Sequence, residues 1–227
     1  MTVHYHGTPV NPVARLYELA GRHFCVSHYD PRQVALCHQI GQGVMLDNGA
    51  FSKFRSGVPT DWDAFYAWAD PWLDCPTTWA VIPDVIDGDE ATQNALLLQW
   101  PFGEKGAPVW HMHESIDRLL HLTDTWPRVC FGSSGAYWQV LSESWERRAD
   151  EAWNALTRRH RRTPNIHMLR GMQLSGKRWP FASLDSTDIA RNHHIKGNPR
   201  AMAERWDVSQ CPARYQPVPH DQLELIK

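Results

Sequence analysis

A short apolar or β-branched run that closes on polar residues recurs seven times along this chain, with five longer segments of helical spacing distributed among the runs. The runs are HFCVSHY (23–29), VMLDNGAF (44–51), TWAVIPDVI (78–86), PVWHMHE (108–114), RVCFGSS (128–134), NIHMLRGM (165–172) and FASLDST (181–187). The helical stretches lie at about 61–74, 90–100, 115–125, 143–161 and 188–206. Alternation of this kind is what parallel βα units require, because a parallel strand pair needs a crossover long enough to hold a helix. It places the chain in the α/β class as a single-domain (β/α) barrel of the TIM type. An eighth strand is not evident, so the expectation includes an incomplete or distorted barrel. An open doubly wound sheet shares the same pattern.

Local chemistry supports the element assignments. Thr60-Asp61 is an N-cap signal ahead of Trp62, Phe65, Tyr66, Trp68 and Ala69 at helical spacing, and Ser142 or Ser144 opens a helix carrying Trp145, Ala149, Ala152, Trp153 and Leu156 on one face. The chain has no repeat and no Gly/Ser-rich linker, which predicts one domain over residues 1–227. With 12 Trp in 227 residues, most are expected in the core and a few against a flat ligand.

Composition removes several classes. No run approaches the roughly 18 apolar residues of a membrane-spanning helix, and the start MTVHYHGTPVNP lacks the layout of a signal peptide, which predicts a cytoplasmic protein without membrane contact. Cys25, Cys37, Cys75, Cys130 and Cys211 are scattered singly, which argues against a disulfide framework or a zinc knot. Residues 1–141 hold 8 Lys+Arg against 15 Asp+Glu, and residues 142–227 hold 15 against 10. That basic C-terminal third, with Arg158, Arg159, Arg161 and Arg162, is the segment expected to meet a phosphate backbone, or else to be a solvated helix face and tail.

In a barrel, the polar residues that close the strands form the active-site mouth. They are Asp47-Asn48, Asp84, His111/His113/Glu114, Ser133-Ser134, Arg170 and Asp185-Ser186-Thr187. Asp47 and Asp185 each follow an apolar run, and a carboxylate pair suits displacement at a sugar anomeric carbon, one attacking and one moving a proton. Either Asp also reads as a helix cap. Asp84 could accept two N–H donors from a guanine-like base edge; with Asp87 and Asp89 behind it, a cation site or an acidic turn are the other readings.

His111 and His113 at i and i+2 would share a strand face and could begin a metal site completed by His28, His167 or the aspartates. FGSSGAYW (131–138) offers main-chain N–H groups around Gly132, Ser133 and Ser134 for a ligand oxygen, without a P-loop lysine or a dinucleotide fingerprint. Phe51 and Tyr137 are candidates to stack on a base.

Taken in order, these strand ends resemble the tRNA-guanine transglycosylase superfamily, the queuine tRNA-ribosyltransferases and their relatives that place 7-deazaguanines in DNA. LDNGAFS (46–52) resembles the family's T-D-S-G-G-F-Q, which implies an acid/base role for Asp47, and VIPDVID is similar to the segment whose aspartate grips the base edge, here Asp84. VWHMHES stands where the family has I-V-Q-G. FGSSGAYW resembles the G-G-L-x-V-G-E loop, and HMLRGM the L-M-G-V-G strand. LDSTDIARN is similar to F-D-C-V-x-P-T-R, whose aspartate is the covalent nucleophile, which implies that role for Asp185.

The match spans about residues 44–192, and the family's C-x-C-x-x-C…H zinc subdomain has no counterpart. The resemblance therefore implies exchange of guanine for a 7-deazaguanine base in a nucleic acid, with DNA favoured over tRNA, no cofactor and an accessory subunit as a further partner. A purine-binding module without turnover and a metal-dependent hydrolase built on His111 and His113 are the alternatives.

Overall fold

The computed structural model describes residues 1–218. Its strands are β1 (Val3–Gly7), β2 (His23–Ser27), β3 (Gly43–Asp47), β4 (Thr78–Val81), β5 (Gly106–Ala107), β6 (Val109–His111), β7 (Val129–Gly132), β8 (Ile166–Met168) and β9 (Ser183–Ser186). The helices are α1 (Val13–Leu16), α2 (Val34–Ile40), α3 (Ala50–Ser56), α4 (Trp62–Leu73), α5 (Glu90–Gln99), α6 (Ile116–Thr125), α7 (Glu143–Arg159), α8 (Asp188–Lys196) and α9 (Pro199–Asp207).

Every strand pair is parallel, and the order is β5-β4-β3-β2-β1-β9-β8-β7-β6. The two ends of that order are consecutive in sequence. Pro108 lacks the N–H that a continuous ladder needs, and it divides one strand into β5, which pairs with β4, and β6, which pairs with β7. Counting that strand once gives eight staves around a ring, a (β/α) barrel of TIM type.

The stave not evident in the sequence is β1. His4 and His6 interrupt its apolar pattern, yet both are buried on the outer face of the barrel wall, His4 Nε2 lying 2.7 Å from Ser175 Oγ. Two further expectations are corrected. The run at 44–51 stops being strand at Asp47, because Gly49, at φ +79°, turns the chain into α3. The helix expected over 188–206 is two helices, since Gly197 at φ +122° precedes Asn198, whose side chain caps a new helix with Pro199 in its first turn.

The expected caps are present: Asp61 accepts the Ala64 N–H and Ser142 accepts the Trp145 N–H. Asp89, weighed as part of a cation site, caps α5 through the Thr92 N–H. Inside the ring, Tyr5, Cys25, Met45, Trp79, Val81, Val109 and Cys130 form a packed layer, with the Trp79 Nε1–H donating to Tyr5 Oη at 2.9 Å. Outside it, Trp110, Trp145, Trp153 and Trp179 are fully buried among the helices, so these four are packing. No helix among the described residues is long and apolar enough to cross a membrane.

Candidate active site

Side chains on a strand alternate, so the registers Cys25↔Met45 and Ser27↔Asp47 put the second pair one layer above the first. The same alternation lifts His111 above Val109, Gly132 above Cys130 and Asp185 above Ser183. Together these upper positions bound a cavity of about 650 Å³ at the C-terminal end of the staves, with Cys25, Met45 and Val81 as its apolar floor. Two glycines leave room for it. A Cβ on Gly7 would meet Thr187 Cγ2 at 2.7 Å, and one on Gly132 would meet Val109 Cγ1 at 3.0 Å and His111 Nδ1 at 3.1 Å.

Asp47, Asp84 and Asp185 all line this cavity. Burial pushes the Asp47 carboxyl up to about 6, and the charges of Asp185 and Asp84 push the same way against the Ser27 hydroxyl and the Gly49 N–H. Near neutrality Asp47 can therefore give up a proton or take one. Asp84 is held from two sides: Asn48 Nδ2 donates to its Oδ1 at 2.7 Å, and His111 Nε2 lies 2.9 Å from Oδ2, off the line of a good hydrogen bond. Asn48 also donates to Ile82 O and accepts the Ala50 N–H, so one buried amide ties β3, the start of α3 and the Asp84 turn together.

Asp185 accepts the Arg170 main-chain N–H at 2.6 Å and lies 3.2 Å from His167 Nε2, both contacts falling on Oδ1. Arg170 stands at φ +55°, sends Nη2 to Ser133 O at 3.3 Å, and lays its guanidinium 3.5 Å above the Phe51 ring. Burial lowers its pKa while Asp185, Asp47 and Asp84 raise it. The site thus gathers Asp47, Asp84, Asp185, Arg170 and His111 beside the Phe51 ring, with His167 buried behind Asp185.

Gly132, Ser133 and Ser134 line the cavity too. Their hydroxyls are engaged elsewhere, Ser133 Oγ accepting the Trp145 Nε1–H and Ser134 Oγ bonding His113 Nδ1, so the loop presents its main chain. Two expected site residues fall outside. The strand ends at His111, where the Glu114 N–H turns back to His111 O at 2.8 Å, so His113 leaves the strand face, becomes exposed and stacks flat on His111 at 5.5 Å. Tyr137 packs toward the α7 core with Arg148 over its ring.

Among the described residues no group of three His, Cys, Asp or Glu side chains is set to hold a metal ion. Glu114, grouped with the mouth residues by sequence, lies in the turn after the strand, where it accepts the His111 N–H and is buried against Arg118 at 2.8 Å. The Arg158–Arg162 run lies at the opposite end of the barrel, because α7 leaves the mouth after β7 and returns to the start of β8. The exposed cations at the cavity are instead Arg55 and Arg191.

Sequence reasoning weighed His167 only as a metal ligand and passed over Ser183 and Ser27. The one available signal was the S-x-D spacing, which puts Ser183 and Asp185 on one face of a strand.

No model of a known protein family matches the chain, and no curated protein matches it. Among solved structures it is similar to tryptophan synthase from M. tuberculosis in an open form with BRD0059 bound, at TM-score 0.47 and 12% identity over 89% of each chain. It is similar also to a ligand-free mutant form of that protein, at TM-score 0.46 and 11% identity over 89% of each chain. The barrel stands on its own strand registers, and these likenesses assign the cavity no reaction.

Proposed function

We propose that this barrel is a base-exchange glycosyltransferase, replacing guanine in a nucleic acid, with DNA favoured, by a 7-deazaguanine. The observation that carries the reading is the meeting of Asp47, Asp84 and Asp185, from separate staves, at one cavity with a flat Phe51 surface. Asp185 attacks C1′ of the target nucleotide as the C1′–N9 bond breaks, and the electron pair leaves with guanine, which takes a proton from Asp47. The incoming base loses its N9 proton to Asp47, attacks C1′ and releases the Asp185 carboxylate, so the second half reverses the first. Asp84, with Asn48 and His111 behind it, accepts from the N–H edge of the base, and the Gly132–Ser134 main chain faces its carbonyl.

Arg55 and Arg191 supply phosphate contacts, and a duplex target has to leave its stack to reach the floor. The step needs no metal or redox cofactor. An accessory subunit is a further partner in this reading. Nothing in the geometry favours the hydrolase alternative, because among the described residues no three His, Cys, Asp or Glu side chains are set to hold a metal ion. The test is transfer of labelled guanine or 7-cyano-7-deazaguanine into tRNA, single-stranded DNA and duplex DNA. Label entering one polymer, and lost with Asp185→Asn while free base still binds, supports exchange. Base binding without label in any polymer favours a binding module.

A further inference from the structure

Only one oxygen of Asp185 is committed. The Arg170 N–H at 2.6 Å makes Oδ1 an acceptor, and His167 Nε2 points to the same atom from 3.2 Å. The imidazole is fully buried inside the barrel, edge-on to Tyr5 and Trp79 at centroid distances of 5.8 and 5.2 Å, so its plane is fixed by packing. Its other nitrogen, Nδ1, lies 2.8 Å from Ser183 Oγ. The parallel register of β8 on β9 sets His167 opposite Ser183, two residues below Asp185 on the same face. If Oδ1 only accepts, the imidazole proton is on Nε2, and Nδ1 must then accept the Ser183 hydroxyl proton. Burial lowers the imidazole pKa, which keeps it a neutral donor at pH 7.

We propose that His167, held by Ser183, is a positioning residue: its Nε2–H fixes Asp185 Oδ1 and leaves Oδ2 as the oxygen that attacks C1′. This rests on the exchange reading above and adds to it the identity of the attacking atom and the pair that aims it. Nothing in the pair touches the base, so its loss slows formation of the glycosyl–Asp185 ester without weakening base binding.

The test compares His167→Leu, His167→Gln and Ser183→Ala with wild type, reading kcat, KM for the free base, and ¹⁵N chemical shifts of the imidazole. His167→Leu should lower kcat about 100-fold with KM within about twofold, the scale expected when a reacting group is misplaced by about 1 Å. His167→Gln, whose amide can replace the Nε2–H, should recover most of that loss, and Ser183→Ala should lie between. Wild-type imidazole should be the Nε2–H tautomer, with its Nε2 signal moved by Asp185→Asn.

An Nδ1–H tautomer overturns the proposal, and so does a leucine variant that folds and turns over like wild type. Equal loss in the leucine and glutamine variants, accompanied by weaker base binding, also overturns it by showing a packing role. Should His167→Leu not fold, Ser183→Ala carries the kinetic comparison. A wild type that exchanges no base sinks the exchange reading, and the tautomer still decides whether the pair aims Asp185.

Discussion

Asp47→Asn should make the protein more stable and less active, and the stability gain should depend on pH. Folding raises the Asp47 carboxyl from 3.8 to about 6, so both folded and unfolded chains hold its proton below pH 3.8 and no cost exists there. As pH climbs through that interval the unfolded chain ionises first. Above about pH 6 the folded protein carries a charge that its site disfavours by about 3 kcal/mol, at 1.36 kcal/mol per pKa unit. Asparagine has no charge to bury but brings an NH₂ group that must find an acceptor, which leaves an expected gain of about 1–2 kcal/mol at pH 8 and close to none at pH 4.

For a domain of this size each kcal/mol moves Tm by about 2–4 °C. Melts of both proteins across pH 4–8 should therefore start together and diverge by about 2–8 °C, while exchange falls by about 100-fold or more for want of a proton donor. In wild type, kcat/KM for the first half-reaction should decline above about pH 6. Melting curves that stay parallel from pH 4 to 8, or an asparagine variant that is less stable at pH 8, would refute the argument that burial and carboxylate repulsion strain this position.

The same structure makes two further predictions. Replacing exposed Arg55 or Arg191 at the cavity by Ala should weaken polynucleotide binding and reduce the slope of log K against log salt by about 1 each, whereas Arg158→Ala at the opposite end should leave the slope unchanged. Burial lowers the His6 pKa to about 3, so the folded protein resists a proton that the unfolded chain binds below about pH 6.5. Its contribution is full above pH 6.5 and is lost as pH falls toward 3; urea unfolding at pH 4.5 and 7.5 should show His6→Gln losing less stability than wild type between the two.

Much of the mouth was legible because a barrel makes one rule local: the polar residue that ends an apolar run stands at the rim. Asp47, Asp84, His111, Gly132, Arg170 and Asp185 obey it, and each could be placed from its own strand alone. β1 was hidden because His4 and His6 are buried under helices that no local pattern reveals. His113 was misplaced by extending the strand past His111 into the turn that Glu114 closes. The pairing of His167 with Asp185 depends on how β8 slides against β9, and lateral register leaves no mark on a single strand's sequence.

Buried carboxylates elsewhere in this fold show what a purely structural aspartate looks like. Asp150 accepts from Arg178 at 3.1 and 2.8 Å, from Trp179 Nε1 at 2.8 Å and from Tyr215 Oη at 2.7 Å, so both oxygens are engaged by neighbours that tie α7 to the segments before β9 and after α9. The mouth is built on the opposite principle. Asp47 is held where ionisation is costly, Arg170 keeps a left-handed backbone that costs a non-glycine residue about 1 kcal/mol or more, and the two contacts of Asp185 crowd onto one oxygen. A fold under selection for stability alone would relieve each of these with a single substitution. A carboxylate tied to its neighbours as Asp150 is has little left to offer a substrate, so under the exchange reading proposed above the chemistry falls to Asp185, whose two contacts leave Oδ2 open, and to Asp47, whose raised pKa suits it to move a proton.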